Sequence, residues 1–147
     1  YDGGSRVPAV FRWPGKIPRE QTTAEMASTL DLLPTILKLA GIELPSDRKY
    51  DGNDIMGLLK GKVKSPTKTI FYNRQNYVEA VRDGEWKLRI SDRDIAKKPK
   101  PVEYELYNME VDPYEFYNVA DRHPEIVENL QKKLIDFANE VGGKTFI

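Results

Sequence analysis

YVEAVRDGEWKLRI, residues 77–90, is the stretch that decides the fold. Tyr77 to Arg82 is strand-like, and Asp83-Gly84 is a strong two-residue hairpin signal because both residues tolerate positive φ. The chain then returns from Glu85 to Ile90, setting Trp86, Leu88 and Ile90 against Glu85, Lys87 and Arg89. Side chains on a strand alternate between faces, so this pattern predicts one covered and one wet face. Arg82 and Lys87 flank the turn and read as a solvated or salt-bridged surface. Trp86 reads as core between sheet and helix, its indole N–H seeking a partner.

Working outward, Thr69 to Tyr72 and Tyr104 to Met109 read as two more strands, with Lys97-Lys98-Pro99-Lys100-Pro101 as a solvated loop. Pro124 to Val141 reads as an amphipathic helix. Pro124 suits the first position, and Glu125 and Glu128 suit the positive end. Its stripe is Ile126, Val127, Leu130, Leu134, Phe137, Ala138 and Val141, and Gly142-Gly143 ends it. His123 reads as a surface residue at the helix start. Together these predict an α+β fold, an antiparallel sheet of about four strands with the C-terminal helix on one face.

The first half has another character. Gly3 and Gly4 offer a tight turn through conformations barred to residues with a β-carbon. Arg6 offers a planar donor fork to pin that turn. Val7 to Arg12 reads as a short strand stopped at Pro14-Gly15. Ser28 to Ala40 carries Leu30, Leu33, Leu37 and Ala40 at helical spacing, with Pro34 near the first turn and Gly41 as the stop. That helix is apolar almost all round, which predicts burial on several sides. Asp51-Gly52-Asn53-Asp54 is a turn feeding a short helix with Ile55, Leu58 and Leu59 on one face, closed by Gly61.

Composition bounds the chemistry. The chain has 147 residues, 23 basic against 23 acidic, which favours neither nucleic acid nor an acidic membrane as partner. The apolar run around Leu30 to Leu44 is interrupted by Asp31, Pro34, Lys38 and Glu43 and cannot span a bilayer. The absence of Cys excludes disulfides, zinc thiolates and a cysteine nucleophile, and a single His leaves little for a Ser-His-Asp triad. Asp112-Pro113-Tyr114-Glu115 is a turn built on a capping Asp and a φ-fixed Pro, after which Asn118 holds the approach to the terminal helix by bonding backbone. The most functional stretch is Phe71 to Tyr77, read as a loop between strands. Its polar and aromatic groups suit a sugar ring, with Arg74 and Gln75 as candidate substrate contacts.

Five segments, in order, resemble type I sulfatases (arylsulfatases) of the alkaline phosphatase superfamily. They are Tyr1-Asp2-Gly3-Gly4-Ser5-Arg6-Val7-Pro8; Asp31-Leu32-Leu33-Pro34-Thr35 through Ile42; Asp51-Gly52 through Gly61; Ala80 through Leu88; and Glu105-Leu106-Tyr107-Asn108 with Asp112-Pro113-Tyr114-Glu115 and Asn118-Val119-Ala120. The resemblance implies a sulfuric ester hydrolase that acts on aryl or glycan sulfates with a formylglycine and a calcium ion. The first segment resembles text that follows the active-site lysine. Ser5 and Ser65 do not stand in a Cys/Ser-x-Pro-x-Arg motif, and no carboxylate cluster has the pattern of the metal site.

The reading is therefore a sulfatase C-terminal fragment with no catalytic residue, metal or cofactor of its own. Residues 1–64 would be the edge of a truncated catalytic domain and 65–147 the C-terminal subdomain. The chain would be inactive by itself, and its role would be to wall the substrate cleft and steady the catalytic domain. Its partner would be the missing N-terminal catalytic domain, and the parent would be periplasmic, secreted or lysosomal. The Val7 to Trp13 and Ser28 to Ala40 segments would expose an apolar patch and favour self-association. Two alternatives stay open: another hydrolase of the superfamily such as a phosphodiesterase, and a non-catalytic carbohydrate-binding or interaction domain.

Overall fold

A computed structural model describes residues 1–91 and 102–147; the Lys97–Pro101 loop expected above lies outside the described residues. The chain divides into two compact units, one of Tyr1–Val7 with Thr69–Ile147, the other of Pro8–Lys68.

The first unit is built on an antiparallel sheet in the order β1-β2-β3-β4: β1 Thr69–Arg74, β2 Tyr77–Asp83, β3 Trp86–Ser91 and β4 Glu103–Asn108. The hairpin forms where expected, but Asp83 pairs with Trp86, so Gly84-Glu85 is the turn. Gly84 takes the positive φ of 59° that the turn requires. The Phe71 to Tyr77 stretch is mostly strand. Arg74 pairs with Tyr77, leaving only Gln75-Asn76 as the connection, with Gln75 at φ 55°. A bulge between Tyr72 and Asn73 precedes it.

Directly paired residues share a face, so Val81, Leu88 and Leu106 lie side by side across the sheet. Helix α3 (Pro124–Val141) covers that face with Leu130, Leu134 and Ala138. Phe137 stacks on Phe71 at 3.9 Å between centroids. Trp86 packs at the edge of this core with its ring tilted on His123, 5.0 Å between centroids. Val141, expected in the buried stripe, is exposed at the last turn. Gly142 stops the helix in the left-handed region at φ 66°. The chain then comes back to the sheet, where the Val78 N–H donates to the Lys144 carbonyl at 2.8 Å.

The second unit contains α1 (Leu32–Leu39) and the short α2 (Met56–Leu59). Ser28 opens the helical segment with a capping box: its hydroxyl accepts from Leu30 N–H, and its own N–H donates to Asp31 Oδ2 at 2.7 Å. A 3-10 turn, Thr29–Asp31, precedes α1, so Pro34 falls in the first α turn, where the N–H it lacks would have had no helical partner. Asp31 is the hub of this unit, with no exposed surface. Its Oδ1 accepts from the Asn53 N–H at 2.7 Å and the Thr67 hydroxyl at 2.9 Å. Thr35 extends the network, donating to the Asp31 carbonyl at 2.6 Å and accepting from the Ile55 N–H at 3.0 Å. Gly52 permits this packing, since a Cβ there would stand 2.0 Å from the Leu30 carbonyl oxygen.

Two expectations for this region fail. Val7 to Arg12 forms no strand: it has no backbone partner strand, and Val7 and Val10 are exposed. Burial of the helix on several sides is not found; the Ser28 to Ala40 segment instead shows the exposed apolar patch also expected of it, with Leu30, Leu33, Ile36 and Leu39 exposed. Spacing establishes the helix, but burial needs a covering surface, and the polar hub holds α1 without one.

Candidate functional site

Face alternation puts Lys87 of β3 on the side of the sheet away from α3, between Arg82 of β2 and Tyr107 of β4. Lys87 was expected on a solvated or salt-bridged surface; it is salt-bridged, but buried, at 1% exposed. Its ammonium donates to Asp2 Oδ1 at 2.8 Å and to Glu115 Oε1 at 2.6 Å. It also lies 4.6 Å from the centre of the Tyr72 ring, within cation–π range. The correction has a plain physical cause. Two segments remote in sequence each bring a carboxylate to the ammonium and so exclude water from it.

The first segment is the N-terminal turn, a 3-10 turn over Asp2–Gly4. Gly3 and Gly4 do not use the positive φ open to glycine, and the Arg6 side chain is exposed. Asp2 does the pinning instead. Its carbonyl accepts from Ser5 and Arg6, and its N–H donates to Glu115 Oε2 at 2.5 Å. Its carboxylate also accepts from the Tyr72 hydroxyl at 3.0 Å and faces Arg82 at 3.7 Å. Burial alone would raise the Asp2 pKa, but the Lys87 bond and charge, with Tyr72 and Arg82, hold it below the usual carboxylate value. Burial and the neighbouring Asp2 charge push the Tyr72 hydroxyl well above its usual range.

The second segment is the Asp112–Asn118 loop. The expected turn is present, with Asp112 accepting from Phe116 N–H at 3.1 Å and Tyr117 N–H at 2.8 Å. Asn118 acts as expected: its Oδ1 accepts from Leu106 and Ala120, and its Nδ2 donates to the Tyr104 carbonyl, each at 3.0 Å. Glu115 sits at φ 58°, uncommon for a residue with a side chain, and this conformation aims its carboxylate inward at Lys87. Tyr114, Phe116 and Tyr117 point outward, 76%, 75% and 74% exposed.

Beside the clasp, Arg89 of β3 pairs with Glu105 of β4 at 2.7 Å and lies 4.8 Å from the centre of the Tyr1 ring. A cavity of about 500 Å³ opens here, walled by Tyr1, Tyr107 and Phe116 with Glu103, Glu105 and Glu115. Arg74 and Gln75 stand elsewhere, at the β1–β2 turn. Arg74 pairs with Glu79 at 2.5 Å, and Gln75 is exposed. Neither joins the Lys87 cluster. Among the described residues, no group of three His, Asp or Glu side chains is placed to hold a metal ion. No described helix is long and apolar enough to cross a membrane.

Comparison with known proteins agrees with this architecture. The family model for the C-terminal region of N-sulphoglucosamine sulphohydrolase matches residues 1–140. Human arylsulfatase A is 36% identical across 90% of the chain, and rat arylsulfatase G is 30% identical across 90%. The chain spans only 30% and 28% of those two proteins, respectively. A solved structure from work on the metabolism of multiple glycosaminoglycans by Bacteroides thetaiotaomicron matches with a TM-score of 0.68. It is 27% identical, over 87% of this chain and 28% of its own. Another, in complex with its substrate D-glucosamine-2-N,6-O-disulfate, matches with a TM-score of 0.62 at 26% identity, over 87% of this chain and 27% of its own. The chain therefore belongs to the N-sulphoglucosamine sulphohydrolase C-terminal family, the C-terminal domain of sulfatases in the alkaline phosphatase superfamily.

Proposed function

We propose that this chain serves as the C-terminal domain of a sulfuric ester hydrolase, whose formylglycine and calcium site is carried by the part of the relatives that this chain does not span. The family match over residues 1–140 carries the reading. On this reading no calcium ligand and no catalytic step falls to this chain. Its work is structural. The sheet and α3 share one apolar core, and Lys87 on the other face fastens the Tyr1–Arg6 segment, which resembles the text after the sulfatase lysine.

On this reading the domain walls the substrate cleft and steadies the catalytic domain, and the substrate is a sulfated glycan or an aryl sulfate. The division at Lys64/Ser65 separates catalytic edge from C-terminal subdomain. Arg74 and Gln75, at an exposed turn, are substrate contacts, and the parent is exported to the periplasm, the lysosome or the medium. The chain alone is inactive. The test is sulfate release from 4-nitrocatechol sulfate with calcium present. The purified chain should release none, and a protein that joins it to the remaining sulfatase portion should turn over. Turnover by the chain alone would overturn the reading, as would cleavage of bis(4-nitrophenyl) phosphate in place of the sulfate ester by the joined protein.

A further inference from the structure

We propose that Lys144, brought back to the β1–β2 turn by the chain after α3, is a further substrate contact that meets the sulfate group of a sulfated glycan in one row with Arg74. The inference rests on the reading of Arg74 and Gln75 as substrate contacts, and it narrows the substrate to glycan sulfates.

The geometry starts at Gly142, after which the backbone runs alongside the start of β2. The Lys144 N–H donates to the Asn76 carbonyl at 2.7 Å, and the Lys144 carbonyl accepts from the Val78 N–H at 2.8 Å. These two bonds make a parallel bridge between Lys144 and Tyr77. Phe146 then stacks on the Tyr77 ring, 4.8 Å between centroids and 11° between planes. The turn in which Gln75 holds its positive φ is therefore braced by the C-terminal segment. Residues paired directly across a sheet share a face. Tyr77 is bridged to Lys144 and paired with Arg74, so Arg74, Tyr77 and Lys144 form one row.

Charge then distinguishes Lys144 from the cations of the sheet. Each of those four meets a carboxylate: Arg74 bonds Glu79, Arg82 faces Asp2, Lys87 bonds Asp2 and Glu115, and Arg89 bonds Glu105. Lys144 is exposed, and among the described residues no carboxylate pairs with it, Asp136 and Glu140 of α3 included. Its backbone is fixed while its ammonium is unspent. Arg74, more than half exposed, stands roughly 10 Å away, two strand spacings across the row. An anionic group with several acceptor oxygens suits two such donors. The Gln75 and Asn76 amides, both exposed, offer donors and acceptors to sugar hydroxyls. A neutral sugar leaves the ammonium unused, and a simple aryl sulfate lacks the ring of hydroxyls that engages the amides.

The test uses the whole chain, isotopically labelled, titrated with hexasaccharides of chondroitin sulfate, of hyaluronan, which carries carboxylates but no sulfate, and with maltohexaose. Chondroitin sulfate should bind saturably, with amide shifts at Arg74–Tyr77 and Lys144–Phe146. Hyaluronan should bind more weakly and maltohexaose not at all. Lys144→Gln, which keeps both backbone bonds, should weaken chondroitin sulfate binding by about fivefold, and Lys144→Arg should retain it. Lys64→Gln, at an exposed lysine of the other unit, should leave it unchanged. Shifts at the turn with unchanged affinity in Lys144→Gln would overturn this inference and leave Arg74 and Gln75 as contacts. No shift at the turn with any glycan would overturn that reading of the turn and this inference together. Equal binding of hyaluronan, or an equal loss in Lys64→Gln, would also overturn the inference, since either shows attraction to general charge.

Discussion

The chain buries two aspartates by opposite means. Asp2 meets a lysine, with an arginine and a tyrosine hydroxyl beyond it, whereas among the described residues Asp31 meets only backbone N–H groups and a threonine hydroxyl. A buried ion pair offsets a large desolvation cost with direct charge attraction, so removing one partner strands the others. A carboxylate held by uncharged donors spreads its stabilisation over several hydrogen bonds. The two units differ accordingly. The sheet unit combines an apolar core with a charged clasp on its opposite face. The 8–68 unit is organised round a polar hub and leaves the apolar face of α1 exposed.

The largest expected effect is at the clasp. Lys87→Met leaves two carboxylates buried without their cation and should cost about 3–5 kcal/mol, read as a fall in urea midpoint. Adding Asp2→Asn and Glu115→Gln should recover most of that loss. A triple variant no more stable than Lys87→Met would show that packing of the stem, not charge, holds the site. Asp31→Ala should cost less, about 1–3 kcal/mol, by orphaning its donors. Its effect on hydrogen exchange should appear at Asn53 and Ile55 and leave β3 protected. Equal losses across both units would break the comparison.

Acid should act on the Asp2 site. The folded pKa of Asp2 lies below the unfolded value of 3.8. Its contribution is therefore complete above that value and is lost as pH falls through the lower folded one. Asp2→Asn should flatten that part of the acid unfolding curve, and an unchanged slope would contradict the assignment. The smallest effect belongs to the exposed helix face: Ile36→Ser should change stability by no more than about 0.5 kcal/mol.

Much of the fold was legible in the sequence, because period-2 and period-3.6 patterns with turn residues determine strands, hairpin and α3 locally. Asp112 was legible for the same reason, since its partners lie 4 and 5 residues away, and Asn118 because an amide after such a turn suits backbone bonding. Lys87 was not. Alternation placed it on the correct face, but burial came from Asp2 and Glu115, 85 and 28 residues away. A usable signal existed: both carboxylates stand in segments that resemble sulfatases, and neither bonds within its own turn through its carboxylate. Asp31 was hidden differently. It read as part of a helical segment, and its role as hub follows from Asn53 and Thr67 approaching from later turns.

The central claim is that Lys87 holds two distant segments on the sheet. Amide exchange in the Lys87→Met chain under folding conditions tests it most directly. Protection at Ser5, Arg6, Phe116 and Tyr117 should fall together while Leu88 keeps its own. Retained protection at Ser5 and Arg6, or loss of Leu88 in step with them, would contradict it.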